Sequence, residues 1–105
     1  MNLPKVIVNL IKAQDDFDSV AYANCFSEAA TVFDEGKTHR GRTEIQQWIR
    51  KANEDFKTIM KPLEYSATEQ VLKADISGEF PGSPVVLSYH FEIADEQIRA
   101  LKITG

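Results

Sequence analysis

The chain has 105 residues, of which 43% are hydrophobic and 27% charged, and its net charge at neutral pH is −4. This length and composition are typical of one domain, here residues 1–105, that buries its own core. An acidic chain does not suit nucleic acid or an anionic membrane surface, because both require basic patches on the protein. No apolar run reaches the ~18 residues that span a bilayer. We therefore expect a single domain that binds neither nucleic acid nor membrane.

Cysteine usage and the first residues indicate the compartment. Cys25 is the only cysteine, so the chain forms no internal disulfide. The segment Met1–Lys5 lacks the charged and then apolar layout of a secretory signal. We expect a cytoplasmic location. Cys25 itself has apolar neighbours and is predicted to be a small buried hydrophobe.

Helical periodicity marks three segments. The first covers Leu3–Ile11, and a shorter second helix is predicted over Phe17–Ser27. The third begins near Thr43, where Gln46 completes a capping-box pattern, and it closes at Pro62. Its apolar stripe consists of Ile45, Trp48, Ile49, Ala52, Phe56 and Ile59.

Alternating and β-branched segments predict a sheet. Ala30–Asp34 and Lys37–Arg40 form a short hairpin ahead of the third helix. The clearest strand is Val85–Ile93, in which every odd position is apolar and most even positions are polar. The other predicted strands are Leu63–Ala67, Gln70–Phe80 and Ile98–Ile103.

The predicted order is two helices, a hairpin, a long helix and four strands. The stripe of the long helix must pack across the sheet, because a single helix cannot bury it alone. We therefore predict an α+β fold in which a curved, mostly antiparallel sheet wraps around the long helix. The resulting cone would hold a blind pocket between the helices and the sheet.

Four segments match a known family: Cys25–Asp34, His39–Ile45, Tyr89–Phe91 and Ile98–Leu101. They resemble the SnoaL-like branch of the nuclear transport factor 2-like superfamily, which includes ketosteroid isomerases and polyketide cyclases. The order and length of the elements agree over essentially the whole chain. The resemblance implies a cone-shaped, cystatin-like fold, whereas the superfamily uses its pocket for unrelated functions.

Asp34 is the first catalytic candidate. It shares strand parity with Val32 and faces the pocket if Val32 faces the interior. The resemblance implies a general base at this position, because ketosteroid isomerases place their aspartate in the same Ala-Thr-Val-x-Asp context. Beside apolar walls the pKa of a carboxylate rises, and the group can move a proton between substrate carbons. The alternative is a solvated turn residue next to Glu35 and Gly36.

Abstraction of a proton beside a carbonyl also requires donors for the developing oxyanion. The resemblance implies two donor positions. One is occupied here by Leu10, which cannot donate, and the other by Tyr89, whose phenol can. His39 is a further acid–base candidate, because its ordinary pKa is near neutral and it could face Asp34 across the hairpin. The alternatives are that Tyr89 is a core residue and that His39 is a surface residue.

Five aromatic residues are candidates for the lining of a small hydrophobic ligand site, and they could equally fill the cone as core. They are Tyr22, Phe26, Trp48, Phe56 and Phe91. The sequence contains no zinc-type ligand spacing, glycine-rich phosphate loop or nucleophile elbow. We therefore expect no metal and no cofactor.

Three functions remain open. The first is an isomerase, cyclase or dehydratase that acts on a small hydrophobic carbonyl compound, with Asp34 as base and Tyr89 or His39 as donor. The second is a non-catalytic module that binds a small apolar molecule in the same cone. The third is an interaction domain. Its contact face would comprise the outer positions Val86, Ser88, His90 and Glu92, whose mixed character predicts a homodimer through the sheet.

Overall fold

The computed structural model describes residues 1–105 and contains three helices and six strands. The elements are α1 (Lys5–Asp15), α2 (Ser19–Asn24), β1 (Phe26–Asp34), β2 (Lys37–Arg40), α3 (Gly41–Phe56), β3 (Ile59–Ser66), β4 (Val71–Ser77), β5 (Val85–Ala94) and β6 (Gln97–Thr104). Their order is the predicted one, and the predicted α+β class is confirmed. None of the three helices has the length and apolarity that crossing a bilayer requires.

All six strands form one sheet in the order β2-β1-β6-β5-β4-β3. Every neighbouring pair is antiparallel except β1 and β6, which run parallel. A parallel pair needs a long crossover, and here the crossover comprises β2, α3 and the strands β3 to β5. The sheet is therefore mixed but mostly antiparallel, and β2 and β3 are its two edges.

The helices and one face of the sheet bury a common core. Ile7 and Leu10 of α1 and Ile45 of α3 are completely buried. On β5, Tyr89 and Phe91 face the helices and are less than 10% exposed, whereas their neighbours His90 and Glu92 face outward. Burying a large apolar side chain contributes about 1.5–3 kcal/mol relative to leaving it exposed. The alternation along β5 therefore determines which face of the sheet packs against the helices.

The second helix is shorter than predicted. It covers Ser19–Asn24, and the side chain of Asp18 accepts a hydrogen bond from the Ala21 N–H at 3.0 Å at its start. The strand that follows begins at Phe26, four residues before the predicted start at Ala30. Pairing with β6 extends the strand, and helical or alternating periodicity does not reveal such a distant partner.

The third helix begins at Gly41 rather than at Thr43. The backbone N–H of Arg40 donates to Oε1 of Glu44 at 3.0 Å, so Glu44 and not Gln46 reaches back to the start of the helix. Gly41 has a φ of +82°, a conformation that a residue with a Cβ atom adopts only with strain.

The end of the third helix also differs from the prediction. The helix stops at Phe56, because Lys57 adopts a left-handed φ of 48°. Ile59 and Pro62, predicted to belong to the helix and to close it, lie in β3. A proline is tolerated there because β3 is an edge strand and its register shifts between Pro62 and Glu64.

Candidate active site

The β1–β2 hairpin turns two polar side chains toward the helices. Asp34 ends β1, and Val32, two residues earlier, is fully buried, so Asp34 faces the same side of the sheet. His39 pairs with Val32 and is a diagonal neighbour of Asp34 on that face. Glu35 and Gly36 form the two-residue turn, both with positive φ (52° and 77°), which matches the twist of a hairpin. Asp34 is half-buried in this position.

The register of the central strands places Tyr89 in the same row as Asp34. Phe33 pairs with Lys102, so the next residue, Asp34, lies beside Ile103. Ile103 in turn pairs with Tyr89 of β5. Two strand spacings, roughly 10 Å, separate the two backbones, and the length of the phenol shortens this gap. Burial raises the pKa of Tyr89, and the charge of Asp34 raises it further.

Tyr22 of α2 adds a second phenol to this region. It is 2% exposed. Burial raises the pKa of this phenol well above its ordinary value, and the charges of Tyr89 and Asp34 are among the further contributions. The sequence predicted Tyr22 only as a lining residue. Leu10, at the donor position that the resemblance implies on the first helix, is fully buried and apolar, so the second phenol comes from α2 instead.

The hydroxyl groups of both phenols are free of protein partners. Neither Tyr22 nor Tyr89 donates or accepts a side-chain hydrogen bond within the chain, and yet the protein contains no buried side-chain nitrogen or oxygen without a partner. Both hydroxyls must therefore open onto space that water can enter. Each phenol can donate a hydrogen bond to a ligand without breaking an existing one.

Trp48 of α3 connects the hairpin to α2. Its ring stacks on His39 with 5.2 Å between ring centroids, and it meets Tyr22 edge-on at 6.1 Å. Burial lowers the pKa of His39, so the imidazole is neutral at neutral pH. Five residues are thus linked as neighbours on the helix side of the sheet, and we call them the aromatic site: Tyr22, Asp34, His39, Trp48 and Tyr89.

The carboxyl group of Asp34 binds its proton more tightly than an ordinary aspartate does. Burial raises the pKa of Asp34 to about 6, and the neighbouring charge of Glu35 adds to the rise, whereas a hydrogen bond from the Glu35 backbone N–H opposes it. Lys37 lies opposite Asp34 in the hairpin but is exposed and makes no ion pair with it. The carboxyl group can therefore gain and lose a proton near neutral pH.

Two of the predicted lining residues lie behind the phenols. Phe26 is completely buried, and its ring lies 5.7 Å from that of Tyr22. Phe91 is 6% exposed and stacks against Tyr89 at 6.3 Å. These two phenylalanines belong to the core and fix the positions of the phenol rings.

Phe56 does not join the aromatic site. It is the last residue of α3 and is 41% exposed, and its ring meets Phe80 edge-on at 6.3 Å. It lies eight residues beyond Trp48, about 12 Å along the helix axis. The helical stripe of the sequence included Phe56 because spacing alone does not show which end of a helix reaches the site.

The best-defined cavities lie elsewhere on the protein. One, of about 430 Å³, lies between α1 and α2 and includes Cys25 in its wall. The other, of about 510 Å³, lies at the start of α3 and is lined by Glu28 and residues 40–44. The enclosed pocket that we predicted beside Asp34 is neither of these. No group of three or more His, Cys, Asp or Glu side chains in the structure could hold a metal ion.

Several solved structures share this fold. A candidate polyketide cyclase from Sinorhizobium meliloti is 35% identical, with a TM-score of 0.90 over 97% of this chain and 95% of that chain. A ketosteroid isomerase-like protein from Catenulispora acidiphila, crystallised with trimethylamine, is 18% identical, with a TM-score of 0.87 over 99% and 87%. SalBIII, an epoxide hydrolase/cyclase-like enzyme of pyran ring formation in salinomycin, is 15% identical, with a TM-score of 0.76 over 94% and 86%.

No protein-family model and no curated protein matches the sequence. The likeness to the Sinorhizobium protein nevertheless extends over nearly the full length of both chains at 35% identity. The chain belongs to the SnoaL-like branch of the nuclear transport factor 2-like superfamily, as the four matching segments implied.

Proposed function

We propose that this protein is a proton-transfer enzyme of the isomerase or cyclase type that acts on a small hydrophobic carbonyl compound. Asp34 is its general base. One observation carries the proposal: a half-buried carboxyl group without a cationic partner faces two buried phenols whose hydroxyls have no protein partner. A carboxyl group and donors beside one space are what proton abstraction next to a carbonyl requires.

The steps follow from the ionisation states of these groups. With a pKa of about 6, the Asp34 carboxyl is about nine-tenths ionised at neutral pH and can remove a proton from the carbon beside the carbonyl. The phenols of Tyr22 and Tyr89 stay protonated, because burial raises the pKa of each. Each can donate a hydrogen bond to the enolate oxygen as charge develops there. Asp34 then returns the proton to another carbon, and an isomer results.

His39 has a different role in the proposal. Its imidazole is neutral and stacked on Trp48, so it can carry a proton to or from a substrate group at the outer end of the site. A ring closure at a carbonyl needs such a second group, because the attacking atom loses a proton while the carbonyl oxygen gains one. The candidate polyketide cyclase and SalBIII support the cyclase side of the proposal, since both share the fold.

Exchange of carbon-bound protons tests the proposal without knowledge of the natural substrate. The protein is incubated in D₂O with a panel of cyclic and unsaturated ketones, and NMR follows the loss of the protons next to each carbonyl. We expect at least one ketone to exchange faster than in buffer. Asp34→Asn should lower that rate by about 10²–10⁴-fold, the usual contribution of a positioned base.

Glu54→Gln is the matched control, because Glu54 is an exposed acid on α3. This variant should exchange protons at the wild-type rate. Equal rates for the wild-type protein and Asp34→Asn, with every tested ketone, would contradict the assignment of Asp34 as the base.

A second proposal concerns assembly: the outer face of the sheet forms a homodimer. Val86 is 51% exposed on this face, and Phe33 is 39% exposed below the ammonium group of Lys102, 5.7 Å from its ring centre. Large exposed apolar side chains on such a face can form the apolar centre of a contact between two copies. We expect the mass of a dimer in light scattering and the mass of a monomer for Val86→Glu. A monomeric wild-type protein at the same concentration would rule the dimer out.

A further inference from the structure

The residues of the aromatic site form a closed circuit of neighbours. Asp34 and His39 share one face of the β1–β2 hairpin, and His39 stacks on Trp48. Trp48 meets Tyr22 edge-on, and Tyr89 lies close enough to Tyr22 to contribute to its raised pKa. Tyr89 lies in the sheet row of Asp34 and closes the circuit. The only carboxyl group of this circuit, that of Asp34, therefore lies on the same side of the sheet as the four rings.

The charges around the circuit are mostly negative. Asp34 and the adjacent Glu35 carry carboxyl groups, and Glu44 acts on His39 from the start of α3. The hairpin has two cations: Lys37 lies opposite Asp34 and Arg40 ends β2. Both are exposed and neither forms an ion pair. An ionised Asp34 therefore lacks a counter-ion inside the protein, and a half-buried charge without one is destabilising.

We propose that the aromatic site selects its ligand by charge and binds a small tertiary or quaternary ammonium group against the Asp34 carboxylate. The proposal rests on the same site as the proposed function and adds the chemical class of the ligand. The ammonium group supplies the counter-ion that the protein does not provide. Its alkyl substituents displace water from the partly exposed ring of Trp48, and the ring attracts the positive charge.

This arrangement distinguishes three kinds of ligand. A neutral molecule of the same shape gains the apolar contacts with the rings but leaves Asp34 without a counter-ion. An anion is repelled by Asp34, Glu35 and Glu44. A cation gains both the apolar contacts and the ion pair, so it binds most tightly.

Choline and its carbon isostere provide the test. In the isostere a tert-butyl group replaces the trimethylammonium group, so the two probes differ in charge but not in shape. Binding is followed by chemical-shift changes in two-dimensional NMR spectra of the folded protein at pH 7.5. We expect choline to bind about tenfold or more tightly than the isostere, with shifts at Trp48 and Asp34.

Three variants assign the effect to the site. Asp34→Asn should bring the ratio of the two affinities close to unity, because it removes the anion and keeps the shape of the side chain. Lys37→Gln should tighten choline binding, because it removes a like charge from the rim. Glu54→Gln, on the exposed face of α3, should leave both affinities unchanged, and the NMR spectrum of each variant reports whether it is folded.

The outcomes separate this inference from the proposed function. Equal binding of choline and its isostere, no binding of either, or an unchanged preference in Asp34→Asn overturns the ammonium proposal. Proton exchange of neutral ketones is measured without any amine and can succeed in each of those cases. Conversely, choline binding that depends on Asp34 supports the inference even where no ketone exchanges protons.

Discussion

Two polar clusters lie along α3, and they differ in whether their polar groups form hydrogen bonds within the protein. In the first, which we call the glutamine cluster, Gln14 of α1 is 5% exposed and lies between Asn53 and Thr58. Its Nε2 atom donates to Oδ1 of Asn53 at 3.1 Å, to the Thr58 carbonyl at 2.9 Å and to the Thr58 hydroxyl at 2.7 Å. The cluster ties α1, α3 and the start of β3 together entirely through protein groups.

The aromatic site, nearer the start of α3, is organised differently. The hydroxyls of Tyr22 and Tyr89 have no protein partner, and the carboxyl group of Asp34 forms no ion pair. A polar group that is satisfied inside the protein stabilises the fold, whereas one that is left open is available to a ligand. The comparison therefore predicts that changes in the glutamine cluster alter stability and that changes in the aromatic site alter ligand chemistry.

The largest expected effect on stability is that of Gln14→Leu. The change leaves the carbonyl groups of Asn53 and Thr58 without their buried donor, and each orphaned group costs about 1–3 kcal/mol. We expect a loss of about 2–4 kcal/mol in the free energy of unfolding, measured by urea denaturation. Lys12→Gln is the control on the same helix, because its ion pair with Asp16 is exposed and should contribute little. Similar midpoints for the two variants would refute the role given to Gln14.

The next largest effect on stability is expected in the loop after β4, which packs against the same end of α3. A Cβ atom at Gly78 would lie 2.5 Å from the Phe56 carbonyl oxygen, which the Glu79 N–H also contacts at 2.6 Å. Gly78→Ala should therefore cost about 1–3 kcal/mol, since the backbone must move. Gly82→Ala separates clash from backbone strain, because Gly82 has open space around it but a φ of +85°. A smaller loss at Gly78 than at Gly82, in thermal unfolding, would be inconsistent with the close contact.

The raised pKa of Asp34 predicts that stability depends on pH. The glutamine cluster cannot produce this effect, because its side chains do not titrate. The folded pKa of Asp34, about 6, lies above the ordinary value of 3.8, so the folded state binds this proton more tightly than the unfolded state. The resulting stabilisation is present at acidic pH and is lost as pH rises through this window. With allowance for solvent screening we expect a loss on the order of 1–2 kcal/mol.

The measurement is the difference in unfolding free energy between the wild-type protein and Asp34→Asn, at several values from pH 4 to 7.5. Asparagine does not titrate, so the variant should gain stability relative to the wild-type protein as pH rises. A constant difference across that range would show that the carboxyl group has its ordinary pKa.

The smallest effect on stability is expected from Tyr22→Phe and Tyr89→Phe. Each removes a hydroxyl that bonds to no protein group, so unfolding free energies should change by less than about 0.5 kcal/mol. Ketone proton exchange should nevertheless fall by roughly tenfold or more for each variant, because a donor to the enolate oxygen is lost. Thr58→Val, which removes a bonded hydroxyl from the glutamine cluster, should show the reverse: a loss of about 1 kcal/mol and unchanged exchange.

The order of the elements and the orientation of the strands could be predicted because they depend on local patterns. Parity along β1 placed Asp34 on the side of Val32, and alternation along β5 placed Tyr89 toward the helices; the structure has both orientations. The family could also be identified from four short segments of the sequence. The boundaries of α2 and α3 were wrong by several residues, because strand pairing and the left-handed Lys57 decide them.

By itself, the sequence determined that a curved sheet covers a long helix, and that a lone aspartate ends the first strand on its inner face. Only the tertiary structure decided which side chains meet that aspartate. It brought the Tyr22 phenol of α2 against Trp48 of α3, and it left Phe56 at the far end of α3. The physical reason is that periodicity fixes the direction of a side chain, whereas its partners depend on the register of distant strands and the packing of the helices across them.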